Sequence, residues 1–249
     1  MAEACMHRTL LGMLTPSSNT VLEPYTAAIL AGLLPAVTAH FQRFRVTRIG
    51  LSDDALAQFD PEALLAAARL LADARVDAIA WNGTSAGWLG FEADRRLCAA
   101  ITAATGIAAT TSVLAINEAL AVLGARRIGL VTPYTPDVQA RIIANYRGAG
   151  FEVVSETHLD EADNFAFSSF NEGIIARGLR AAAAARPDAL LILCTNLRGA
   201  PAVERMEREL GMPVLDSVAV TVWKTLHMTG VDPARIRGWG SLFQARPAS

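Results

Sequence analysis

The sequence predicts an α/β protein of two pseudo-symmetric lobes, each a mostly parallel sheet flanked by helices, with the site in the interlobe cleft. Three observations lead there. Short apolar runs alternate with longer Ala/Leu/Arg-rich stretches of helical period, the pattern of parallel strands joined by crossover helices. Blocks from the first half of the chain return in the second half in the same order. Of 249 residues, 52% are hydrophobic and 18% charged, which supplies apolar material for more than one sheet to be covered.

Thr9–Leu14 is the first predicted strand, followed by the turn-rich Thr15-Pro16-Ser17-Ser18-Asn19-Thr20 and a helix over Leu22–Leu33. Phe41–Ile49 reads as the second strand. Pro61–Ala74 is predicted helical, with Pro61 in the first turn, where its missing N–H costs nothing. Val76–Trp81 is nearly continuous in apolar residues, as a strand covered on both faces must be. The polar Asn82-Gly83-Thr84-Ser85 follows, then a helix over Phe91–Thr105 stopped by Gly106, a short strand Ile107–Thr110 and a helix Ser112–Leu123. Gly148-Ala149-Gly150 follows a helical stretch and reads as its stop.

The duplication is visible residue by residue. Leu10-Leu11-Gly12-Met13-Leu14-Thr15-Pro16 is restated as Arg127-Ile128-Gly129-Leu130-Val131-Thr132-Pro133. Ala74-Arg75-Val76-Asp77-Ala78-Ile79-Ala80 returns as Ala185-Arg186-Pro187-Asp188-Ala189-Leu190-Leu191, and Gly106–Ser112 returns as Gly211–Ser217. Two copies make twin lobes rather than a solenoid, which needs at least three units. The expected boundaries are 1–115 for lobe one, with helix 112–123 crossing over, 116–225 for lobe two, and 226–249 returning toward lobe one.

Composition narrows the partners. The 22 Lys and Arg against 24 Asp and Glu leave no basic footprint for nucleic acid. No apolar run reaches the about 20 residues of a membrane span. Cys5, Cys98 and Cys194 form no CxxC pair, which reads as a reduced, cytoplasmic compartment, with Cys5 and Cys98 structural or incidental. His7, His40, His158 and His227 lack ligand spacing, and neither a phosphate-binding loop nor a GxSxG elbow is present. The expectation is no metal and no cofactor.

In open parallel sheets, ligands bind beyond the carboxyl ends of the strands. The loops expected there, Pro16–Thr20, Asn82–Ser85, Pro133–Thr135 and Cys194–Asn196, carry small hydroxyl and amide side chains suited to a small anion. Aligned on Asp77 and Asp188, Gly83 matches Cys194, Thr84 matches Thr195 and Ser85 matches Asn196. One half of the repeat thus has a thiol where the other has none.

Pro16-Ser17-Ser18-Asn19-Thr20, Gly83-Thr84-Ser85, Thr132-Pro133-Tyr134 and Cys194-Thr195-Asn196, in this order on a duplicated chain, resemble the aspartate/glutamate racemase superfamily, and within it the maleate cis–trans isomerase and arylmalonate decarboxylase branch. The resemblance runs from Gly12 to Gly240. It implies catalysis without cofactor, Cys194 as proton donor, and a dioxyanion hole of Thr84, Ser85 and Tyr134. It also implies carboxylate binding by Pro16, Ser18, Asn19, Gly83, Thr195 and Asn196, and a homodimer. Gly83 stands where racemases and isomerases of this kind carry a first cysteine, and Gly83-Thr84-Ser85 is similar to the decarboxylases. Ser17-Ser18-Asn19 is similar to the isomerases, and Thr195 departs from the decarboxylases' glycine.

Each residue also has a plainer reading. Free cysteine is among the most buried residue types, Thr84 and Ser85 suit a helix cap, and Ser18-Asn19 suits a turn and N-cap. Trp88 reads first as core and second as the wall of an apolar pocket, and Asn164–Asn171 as a flap or a subunit contact. Three functions stay open: a lyase removing CO2 from a substituted malonic acid, which is favoured; an isomerase or racemase of a small dicarboxylic acid; and a non-catalytic carboxylate-binding protein. A helix N-terminus near Cys194 is expected to lower its pKa toward neutrality. Gly83→Cys is expected to supply a second proton relay and racemase activity.

Overall fold

The computed structural model describes residues 8–245, so Cys5 and His7 lie outside the described residues. Lobe one runs β1 (Thr9–Pro16), α1 (Leu22–Leu30), β2 (Val37–Phe44), α2 (Asp53–Ala57), α3 (Pro61–Asp73), β3 (Ala78–Trp81), α4 (Ala86–Leu89), α5 (Phe91–Thr105), β4 (Ala109–Thr111) and α6 (Ser112–Val122). Lobe two runs β5 (Arg127–Thr132), α7 (Pro136–Gly148), β6 (Glu152–His158), α8 (Glu172–Ala183), β7 (Ala189–Ile192), α9 (Val203–Leu210), β8 (Val214–Asp216) and α10 (Ser217–Met228). Each lobe holds a four-stranded parallel sheet, ordered β2-β1-β3-β4 and β6-β5-β7-β8. The same order in both sheets is the structural form of the sequence repeat. No helix among the described residues is long and apolar enough to cross a membrane.

The repeated residues do the same work in both halves. Asp77 accepts from the Leu10 N–H at 2.7 Å, and its own N–H reaches the Leu10 carbonyl. Asp188 accepts from the Arg126 and Arg127 N–H groups at 2.8 Å, and its N–H reaches the Arg127 carbonyl. Each aspartate therefore pins the start of one central strand to its neighbour. Arg75 and Arg186, just upstream, share the left-handed conformation, at φ +52° and +50°. Gly12 in β1 and Gly129 in β5 are required by close packing: a Cβ would stand 2.9 Å from Val76 Cγ2 in one case and 2.7 Å from Leu190 Cδ2 in the other. Gly12→Ala is expected to cost about 1–3 kcal/mol through overpacking, read as a lower urea midpoint. An unchanged midpoint would mean that the Val76 side chain yields without strain.

Most predicted elements form within a few residues of their expected ends. The second strand is displaced: it covers Val37–Phe44 rather than Phe41–Ile49, because its pairing with β1 ends at Pro16↔Phe44. Val46 and Ile49 keep an apolar character because they pack inward over the site instead of continuing the sheet. Helix α1 ends at Leu30, with a single 3-10 turn over Ala31–Leu33. β6 is an edge strand, half-exposed and polar, and carries no apolar run to announce it.

Helices α6 and α10 follow β4 and β8 and lie against each other, Thr221 Oγ1 donating to Ser112 Oγ at 2.8 Å. Helix α10 packs on β3 and β4 as well as on β8, so the last helix of lobe two helps close lobe one. The segment beyond α10 does not return to lobe one: the Ser241 N–H and hydroxyl both bond Glu207 on α9, which holds its described part on lobe two. Leu242 and Phe243, buried beside it, supply the apolar reason.

Candidate active site

The central strands β1, β3, β5 and β7 end at the lobe junction, and the loops leaving them close around a cavity of about 20 Å³, room for about one water. Pro16, Gly83, Thr84, Ser85, Tyr134, Cys194 and Thr195 line it, drawn from both halves of the repeat. Val46, Ile49, Phe59, Trp81, Trp88 and Asn164 complete the wall.

Cys194 directly follows the buried run Leu190–Leu193 and is 3% exposed. Its Sγ accepts from the Asn196 N–H at 3.3 Å, and the Tyr134 hydroxyl lies beside it. Burial nevertheless dominates and pushes the thiol up to about 12. The expected lowering does not occur, because the chain leaves Cys194 in turns and reaches a full helix only at Val203. At neutral pH the group is therefore a thiol carrying its proton.

Thr84 Oγ1 and the Tyr134 hydroxyl lie 2.5 Å apart. Burial first, and then the neighbouring Cys194, raises the tyrosine pKa well above its ordinary value, so its proton stays on. The bonded Thr84–Tyr134 hydroxyl pair and the Cys194 thiol thus stand together at the junction. Tyr134 is clamped by edge-on contacts with Trp88 at 5.2 Å and Phe167 at 5.6 Å. Capping does not explain the two hydroxyl residues: Ser85 stands before α4 without a side-chain capping bond, and the Thr84 hydroxyl is turned to Tyr134. Among the described residues, the Thr84 and Ser85 backbone N–H groups have no hydrogen-bond acceptor, which leaves two donors beside the hydroxyls.

Three predicted binding residues stand behind the wall instead of on it. Asn19 Oδ1 accepts from the Val21 and Leu22 N–H groups, both at 2.9 Å, and its amide donates to Thr195 Oγ1 at 3.1 Å. Thr195 passes the bond on to the Asn82 carbonyl at 2.9 Å. Asn196 Oδ1 accepts from the Thr20 N–H at 3.0 Å, and its amide donates to the Asn164 carbonyl at 2.5 Å. The Ser18 hydroxyl donates to the Val46 carbonyl at 2.8 Å and accepts from the Asn164 amide at 2.7 Å. Ser18, Asn19 and Asn196 are therefore committed to joining the lobes, because satisfying buried turn amides uses all their polar atoms.

Sequence reasoning missed most of the apolar wall. Trp81 read only as the end of a buried strand, and Val46, Ile49 and Phe59 carried no signal of a site. Asn164 belonged to a segment with two open readings; it lines the cavity and bridges to Ser18, so that end of the segment is wall. Gly83 does not face open space. A Cβ there would stand 1.9 Å from Trp81 Cζ2, so the space expected for a second thiol is filled by indole, and Gly83→Cys alone cannot be accommodated in this arrangement.

Asp216, at the end of β8, caps α10 through Oδ1, which accepts from Val218 at 2.9 Å and Ala219 at 3.2 Å. Its Oδ2 is buried without a partner, and burial raises the carboxyl to about 7. With the folded pKa above the ordinary 3.8, its stabilising protonated form is complete below about pH 4 and lost as pH rises through 7. Asp216→Asn keeps a capping oxygen and removes the charge. Its stability relative to the parent is expected to improve by ~1 kcal/mol or more between pH 5 and pH 8, read from thermal melts. A difference independent of pH would contradict the buried charge. Among the described residues, no group of three His, Cys, Asp or Glu side chains converges to hold a metal.

The geometry has counterparts. A family model described as arylmalonate decarboxylase matches residues 31–243. The chain belongs to the arylmalonate decarboxylase family. Among relatives of this family member, a maleate isomerase of Geobacillus stearothermophilus is 28% identical over 87% of this chain and 90% of its own. An arylmalonate decarboxylase of Bordetella bronchiseptica is 27% identical over 92% of this chain and 97% of its own. The Nocardia farcinica maleate cis–trans isomerase, solved with TRIS bound, superposes with a TM-score of 0.86 at 26% identity, covering 94% of this chain and 97% of the other. The two-lobed architecture is thus shared, and both kinds of relative are enzymes by name.

Proposed function

We propose that the protein is a cofactor-independent decarboxylase of a substituted malonic acid. One observation carries this reading: a single protonated thiol, Cys194, shares a small cavity with the Thr84–Tyr134 hydroxyl pair, while the facing position is Gly83 covered by Trp81. Two-base racemisation needs a second proton carrier on the opposite face, and nucleophilic isomerisation needs a second reactive group. A lyase needs neither.

In this reading one carboxylate is held by the Thr84, Ser85 and Tyr134 hydroxyls and the free N–H groups of Thr84 and Ser85. The other faces Val46, Ile49, Phe59 and Trp88, where loss of hydration raises its energy. The bond from Cα to that carboxylate breaks, CO2 leaves, and the bonding electron pair passes into the held carboxylate as an enediolate. The donors around it stabilise the new charge. The Cys194 S–H then protonates Cα, and the thiolate recovers a proton from water. With only about 20 Å³ free, the acid enters by displacing part of the wall.

A second reading, isomerisation of maleate, is supported by the names of relatives such as the Geobacillus enzyme and by the Ser17-Ser18-Asn19 loop. Proton NMR of the protein in D2O with vinylmalonate, phenylmalonate, maleate and aspartate separates the readings. The expected result is vinylacetate carrying one deuterium at Cα. Fumarate formed from maleate, or α-exchange of aspartate with no malonate consumed, would overturn it.

A further inference from the structure

Trp81 ends β3 two residues before Gly83, and its indole lies where any side chain at 83 would go, 1.9 Å from an added Cβ at Cζ2 and 2.2 Å at Cε2. The ring is 1% exposed and is backed by Phe44, with centroids 4.8 Å apart. It is also a shared wall. On one side is the catalytic cavity; on the other is a groove of about 330 Å³ between α3 and α5, lined by Pro61, Leu64, Leu89, Ala93 and Leu97. Phe59 and Ser85 border both spaces as well.

We propose that Trp81 is the specificity-determining residue of the site. Its indole restricts the substituent on the malonic acid to a short group of vinyl size and seals off the groove; a smaller side chain at 81 joins the two spaces and admits a substituent the size of naphthyl. The physical reason is rigidity. Trp81 is anchored by the strand backbone and by Phe44, so displacing another part of the wall on entry leaves the indole in place. The groove offers a largely apolar bed already the right size for a fused aromatic ring, with Asp94 and Arg96 as its charged lining, and Trp81 is the largest side chain shared by the two spaces. This inference rests on the substituted-malonate reading above.

The test measures binding as well as turnover, so that the two readings fail separately. Wild type, Trp81→Phe, Trp81→Leu and Trp81→Ala are titrated by calorimetry with vinylacetate and 2-naphthylacetate, the products of the corresponding malonates. Near-UV circular dichroism and melting temperature identify the folded variants. Wild type is expected to bind vinylacetate about tenfold or more tightly than 2-naphthylacetate, and Trp81→Leu to gain about tenfold or more for the naphthyl acid with little change for the vinyl acid, the scale on which pocket size discriminates. Equal binding of both acids by wild type, or a folded small-side-chain variant with no naphthyl gain, overturns the inference. If the smaller variants do not fold, the wild-type preference and Trp81→Phe still decide it. A switch in binding without decarboxylation of either malonate upholds Trp81 as the specificity residue and rejects the lyase reading alone.

Discussion

Cys194→Ala is expected to lower kcat for malonate decarboxylation by about 10²–10⁴-fold, the usual contribution of a positioned proton donor. Affinity for the product acid should stay within about twofold, because the thiol holds no carboxylate oxygen in the proposed geometry. With 2-methyl-2-vinylmalonate, whose product has a stereocentre, residual product should be racemic, since water then reaches the enediolate without a preferred face. Steady-state kinetics, calorimetry and chiral chromatography measure the three. Full activity in the alanine variant would remove the thiol from the mechanism. The pH profile of the parent adds a second check. Burial raises the thiol to about 12, so the proton donor stays intact as pH rises past 8.5, where an ordinary cysteine is half ionised. The rate is expected to show no thiol-linked fall through pH 9. A fall centred near 8.5 would show that the working form of the site hydrates Cys194.

The next largest effect is expected from the hydroxyl pair. Tyr134→Phe and Thr84→Val each remove one end of the 2.5 Å contact while keeping most of the apolar volume. Loss of one preorganised oxyanion donor typically costs about 10²–10³ in kcat. Because the hydroxyls are bonded to each other, the double variant is expected to lose less than the product of the single effects. If the losses multiply, Thr84 and Tyr134 act independently and the bond is incidental. Stereochemistry separates the pair from Cys194: removing a hydroxyl slows the reaction without making the product racemic. Racemic product from Tyr134→Phe would instead show that the tyrosine positions the thiol, which its place beside Cys194 makes a specific alternative.

Local signals were enough where they concern the backbone. The repeated glycines, aspartates and Thr-Pro turns are legible because each satisfies a need within one βα unit: close strand packing at Gly12 and Gly129, and strand pinning at Asp77 and Asp188. Helix α5 forms over Phe91–Thr105, and Gly106 stops it at φ +73°, where a side chain would be strained. β2 was misplaced because apolar Val46 and Ile49 extend the strand pattern beyond the last partner on β1. β6 was silent because a half-exposed edge strand needs few apolar residues.

By itself, the sequence determined the doubled α/β architecture and the set of loops that meet at the cleft. It also marked the unmatched thiol, since composition and internal repetition are properties of the chain alone. The tertiary structure decided what surrounds each side chain. It assigned Asn19 and Asn196 to bracing the lobes and kept the Cys194 proton in place by burial. It also filled the hollow above Gly83 with the ring of Trp81. Those outcomes depend on desolvation and on volume shared between distant segments, and neither can be read from residues taken in order.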